Sequence, residues 1–107
     1  MTDRKERIRA LNDNLRRLHR GGRVPITPGI QALDERTIRR IDVAIADFAA
    51  FDNDPQGEHD FGRVEVDGET VVWKIDCYDR NLEGASEDAA DPAVTRRVLT
   101  IMLSDEY

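Results

Sequence analysis

The sequence predicts a single α+β domain, residues 1–107, in which an antiparallel β-hairpin, of two strands or of three with a flanking segment, packs against three α-helices. Three observations carry this. Two alternating arms flank an Asp67-Gly68 dipeptide, a strong short-range signal for a tight hairpin. Apolar residues recur at helical spacing over 3–20 and 34–51, and Asp91-Pro92 opens another apolar run with helix-starting chemistry. A chain of 107 residues can bury a modest core without covalent staples.

Residues 3–20 read as an amphipathic helix through Ile8, Leu11, Leu15 and Leu18, stopped by Gly21-Gly22. His19 lies near its end, where a positive charge complements the macrodipole. The segment 23–27 is β-prone, and Pro25 confines it to an edge strand flanking the hairpin or to extended chain. Thr27-Pro28-Gly29 reads as a turn. A second helix is expected from Asp34, its N-cap, to Phe51, burying Ile38, Ile41, Ile45 and Phe48. The loop 52–57 is rich in oxygen ligands, but Pro55 and the Arg at position 63 spoil any match to a calcium loop. After an acidic, irregular stretch over 81–90, a third helix is expected from Asp91 as N-cap and Pro92 to about Ser104. Val94, Val98, Ile101 and Met102 form its stripe, widened by Leu99 and Leu103. So wide an apolar arc is central in the fold or shared in a homodimer through residues 94–103.

With Asp67 and Gly68 as the loop, Val66 faces Glu69 and the register of the whole hairpin follows. Val64, Val66, Val71, Trp73 and Ile75 share the core face, with Trp73 opposite Gly62. The other face sets His59 across from Asp76 and Phe61 across from Lys74, with Tyr78 and Asp79 beyond. An opposed His and Asp would share a hydrogen bond, either as an ordinary cross-strand pair or as an acid–base device. Glu58 and Asp60 point toward the core side, where Arg96 or Arg97 would neutralise them. A bulge at Gly62 would instead turn them out and bury His59.

A lone Cys77 on the core face excludes an internal disulfide framework and suits a buried, inert thiol. No signal peptide or membrane-spanning run is present, so a cytoplasmic protein without membrane contact is expected. The net charge of −6 divides sharply, with a balance of +6 over residues 1–41 and −12 over 42–107. The halves either pair internally or set up a dipole. No nucleophile triad, phosphate-binding glycine loop, zinc spacing or internal repeat occurs.

The motifs Gly-Glu-His-Asp-Phe-Gly (57–62), Trp-Lys-Ile-Asp-x-Tyr-Asp (73–79) and Asp-Pro-Ala-Val-Thr-Arg-Arg-Val-Leu-Thr-Ile-Met-Leu (91–103) resemble a family of small bacterial proteins. That family is catalogued as a domain of unknown function and is often encoded on plasmids and other accessory DNA. The resemblance runs from the Leu11-Asn12 region to Tyr107. It implies an aromatic residue as the usual occupant of the Cys77 position, and it brings no activity, cofactor or assigned site. The accessory-gene setting favours action on other macromolecules.

The leading functional expectation is a module that binds another protein, an adaptor, regulator or inhibitor rather than an enzyme. His59, Phe61, Lys74, Asp76, Tyr78 and Asp79 would form its patch on the outer hairpin face. No cofactor is predicted for such a module. The alternative is a metal-dependent hydrolase or phosphoesterase, holding a divalent metal with Glu58, His59, Asp60, Asp76 and Asp79. Neighbouring strand residues point to opposite faces, so the five converge only with a bulge. Nucleic-acid binding through Arg16, Arg17, Arg20 and Arg23, or acidic mimicry of nucleic acid by the C-terminal two-thirds, completes the set.

Overall fold

In the computed structural model, which describes residues 3–51, 54 and 56–107, helix α1 (Arg4–Leu18) begins at Asp3. The Asp3 carboxylate accepts the Glu6 N–H at 2.8 Å. The helix closes on His19 in the left-handed region, and the His19 imidazole lies 2.8 Å from the Asp42 carboxylate. Its buried residues are Ile8, Asn12, Leu15 and Arg16, while Leu18 is exposed. Of the expected stripe Ile8, Leu11, Leu15 and Leu18, Ile8 and Leu15 are buried and Leu11 is half-buried, while Leu18 is exposed and the polar Asn12 and Arg16 are buried in addition.

Strand β1 (Gly22–Arg23) is followed by a short helix α2 (Pro28–Gln31), where Thr27-Pro28-Gly29 had suggested a turn. Pro28 opens α2 because the first helical N–H needs no intrahelical partner. Helix α3 (Glu35–Ala46) is capped by Asp34, whose carboxylate accepts the Thr37 N–H at 2.7 Å. It stops short of Phe51, because Phe48 and Phe51 leave the helix to pack edge-on around Trp73, with centroids 5.5 and 6.3 Å away.

Strands β2 (Phe61–Val66) and β3 (Glu69–Tyr78) form the hairpin in the expected register, Val66 opposite Glu69 through Phe61 opposite Lys74. Gly62 faces Trp73 so closely that a Cβ there would lie 2.5 Å from the indole nitrogen. The segment expected as a third helix is instead strand β4 (Arg96–Leu103), antiparallel to β3. Asp91 still caps locally, accepting the Ala93 N–H at 2.9 Å, but it closes a turn. The apolar arc looked too wide for a surface helix because this strand is buried on both sides. Leu99 and Ile101 face the core, and Met102 is buried on the opposite face. The apolar residues proposed for a dimer are therefore largely spent inside the sheet.

The sheet order is β1-β4-β3-β2, with β1 parallel to β4. It has four strands and is mixed, in place of the expected two or three antiparallel ones. The 22–27 segment flanks β4, not the hairpin: Ile101 and Thr27 N–H groups donate to Pro25 and Ile101 carbonyls at 3.1 Å each. Leu15, Ile30, Ile41 and Ile45 from the helices meet Val66, Val71, Trp73, Ile75, Leu99 and Ile101 in one core on the Trp73 side. Pairs between the basic and acidic halves include Arg4–Asp88 at 3.2 Å and Arg40–Asp67 at 3.4 Å. Among the described residues no helix is long and apolar enough to cross a membrane.

Candidate functional site

The end of the hairpin is shaped by helix α1. The ladder runs past Phe61 to one further bond, Ile75 N–H to the Asp60 carbonyl at 2.8 Å. His59 then takes φ 55°, the left-handed region, and turns the chain off the sheet. The break lies here and not at Gly62. His59 consequently does not reach Asp76. Its ring stacks on Phe51 at 3.7 Å and 6°, and its Nδ1 lies 3.0 and 3.3 Å from the Asp13 carboxylate oxygens. Asp76 receives Lys74 Nζ at 3.3 Å instead.

Side chains one turn apart on α1 hold the same turn. Arg9 Nε donates to the Gly57 carbonyl at 2.7 Å, and Asn12 Nδ2 to the Glu58 carbonyl at 2.9 Å. The Asp54 carboxylate accepts the N–H of Gly57 at 3.1 Å and of His59 at 2.9 Å. Asn12 Oδ1 in turn accepts Arg97 Nε at 2.8 Å, and the other end of that guanidinium donates to the Ala89 carbonyl. Arg97 stands opposite Cys77 on the core face, where burial pushes its pKa down. Burial also pushes the Cys77 thiol up, against the opposing pull of the Arg97 charge. Asp60 is raised by burial, with the Asp54 and Asp76 charges adding to the effect.

Arg16 closes the other side of this network. It is 3 % exposed, and its guanidinium donates to the carbonyls of Ile45, Ala46 and Phe48 at 2.9–3.1 Å. Those groups include ones the C-terminus of α3 leaves without intrahelical partners. Asp13 accepts a fourth bond at 2.9 Å, and the cation lies 5.3 and 5.7 Å from the rings of Phe51 and Trp73. Arg16 is therefore a structural cap, withdrawn from the basic surface proposed for nucleic acid. Sequence reasoning missed Asn12 and Asp13 and gave Arg16 a surface role in place of this buried one. The available signal was the spacing of 9, 12, 13 and 16, which sets polar groups on one helix face.

The candidate metal ligands do not gather. The main chain of Glu58 is held by Asn12, His59 faces Asp13, and Asp76 faces Lys74. Asp79 Oδ1 accepts the N–H groups of Asn81 and Glu83 at 3.0 Å each, closing the turn after β3. Among the described residues no three His, Cys, Asp or Glu side chains stand where they could share a metal ion. Positions 52, 53 and 55 of the oxygen-rich loop lie outside the described residues.

Of the proposed binding patch, the structure keeps Phe61, Lys74, Asp76 and Tyr78 on one face, away from the helical core. It removes His59 to α1 and commits Asp79 to a turn. It adds Tyr107, whose ring meets Phe61 edge-on at 5.6 Å. These two aromatics are 43 % and 69 % exposed. Strand β2 is the last strand of the sheet. Because Asp60 bonds to Ile75, the inward main-chain positions are 62, 64 and 66, and those of Phe61, Arg63 and Glu65 point outward. Beside this edge Arg36, Arg39, Arg40, Val43 and Ala44 of α3 line a groove of about 500 Å³ with Glu65, Val66 and Asp67, and Asp67 is already paired to Arg40.

A family model described as "Protein of unknown function (DUF3768)" matches residues 26–106, and the chain belongs to that family. No curated protein matches the chain, and no solved structure does.

Proposed function

We propose that this member of the family is a protein-interaction module whose partner adds an extended strand to β2. The carrying observation is the coincidence of an outward-facing strand edge, an exposed aromatic pair on one side of it and a basic helix groove on the other. Side chains of an added strand alternate between those two sides. One set would meet Phe61 and Tyr107, with Lys74 directly behind Phe61 on β3. The other would enter the groove, where Arg36 makes no ion pair among the described residues and Arg39 only a long one to Glu35, so that these two favour an acidic residue. Charged Arg63 and Glu65 on the edge discourage indiscriminate pairing and leave it open to a segment of matching charge.

Arg63→Pro tests this directly. The Arg63 N–H points away from β3, so the substitution removes no hairpin bond but denies one to a partner. Proteins captured by immobilised wild type are expected to be lost from Arg63→Pro and from Phe61→Ala, with both variants melting within a few degrees of wild type. Retention of the same captured proteins by both variants would overturn the reading.

A further inference from the structure

Four arginines line a second cleft, far from the β2 edge, and no acidic residue lines it with them. It occupies about 500 Å³ where β1 runs beside β4; its exposed cations are Arg23, Arg80 and Arg96, while Arg97, whose guanidinium turns to the core face, lines it without presenting its charge. In a chain of net charge −6 this segregation is unfavourable unless something negative offsets it. Two of the four are fixed in place. Arg97 is 3 % exposed and held by Asn12 and the Ala89 carbonyl, and Arg80 donates to the Ala93 carbonyl at 3.0 Å. Arg23 and Arg96 make no side-chain hydrogen bond or ion pair among the described residues, so their donor forks are unspent.

The backbone brings these groups together. Gly22 pairs with Arg97 so closely that a Cβ would collide with the Arg97 main chain, and this seats β1 directly against β4. Arg23 and Arg96 are thereby carried to one cleft from two strands. Leu82, Pro92 and Val98 supply an apolar flank.

We infer that this cleft binds a phosphorylated small molecule, with the phosphate on Arg23 and Arg96 and the organic part against Leu82, Pro92 and Val98. Planar guanidinium groups match phosphate oxygens two bonds at a time, and the volume suits an organic ligand larger than the anion itself. This site is independent of the β2 edge, and either can fail without the other.

The test is calorimetric titration at low salt with pyrophosphate, a nucleoside diphosphate, the matching unphosphorylated nucleoside, citrate and a short DNA duplex. Saturable binding of pyrophosphate and the nucleoside diphosphate is expected, with no binding of the nucleoside. Arg23→Gln and Arg96→Gln, both at exposed positions, are each expected to weaken it roughly tenfold or more, and Arg63→Gln on β2 to leave it unchanged. No binding of either phosphate at millimolar concentration would overturn the inference. So would equal binding of citrate, a preference for the duplex, or an equal loss in Arg63→Gln.

Discussion

The two faces of the sheet treat polar side chains in opposite ways. On the helix side, Arg16 and Arg97 are buried and committed to carbonyls and to the side chains of Asp13 and Asn12. On the other side, Phe61, Lys74, Asp76 and Tyr78 stand part-exposed, with the Phe61–Tyr107 contact and the Lys74–Asp76 pair between their neighbours. The buried face uses polar groups to position chain, since a desolvated cation is tolerated only when most of its donors are matched; on Arg16 both terminal nitrogens are bonded and Nε alone has no partner among the described residues. The open face holds aromatic and charged groups that the fold does not consume, and such groups are available to a partner.

Substitutions on the two faces should therefore separate sharply. Arg16→Ala has the largest expected effect. It strips the donor from three main-chain carbonyls and empties a site between Phe51 and Trp73, so a loss of about 3 kcal/mol in denaturant unfolding is expected. Asp60→Asn should act in the other direction and with pH. Its folded pKa lies above the unfolded value near 3.8, so ionising it opposes folding. The variant should melt higher than wild type near neutral pH. That advantage should shrink as pH falls through the folded pKa and vanish below about 3.8, in parallel melts from pH 3 to 8. Phe61→Ala should have the smallest effect on folding, within about 1 kcal/mol of wild type, because its ring is only half-covered. A large destabilisation there would mean that the outer face belongs to the core after all.

The hairpin was legible because Asp67-Gly68 sets its register locally, and the Gly62–Trp73 fit follows from that register. Asp34 was legible as a cap for the same local reason. Strand β4 was not, because a segment buried on both faces shows no alternation, and Asp91-Pro92 begins a turn as readily as a helix. The His59–Asp76 pair failed at a single backbone torsion. One left-handed residue at the end of the ladder redirects His59 to Asp13, a contact across 46 positions that no local pattern encodes. Of the binding patch, what remained on the outer face is the part the ladder itself fixes, Phe61, Lys74, Asp76 and Tyr78.

The most direct measurement is amide hydrogen exchange on the protein alone and bound to a captured partner. The outward N–H groups of Phe61, Arg63 and Glu65 should exchange readily in the free protein and slow strongly in the complex, with those of Gly62, Val64 and Val66 little changed. Protection confined to α1 or to the loop over 81–90, with residues 61, 63 and 65 unaltered, would contradict strand addition at β2.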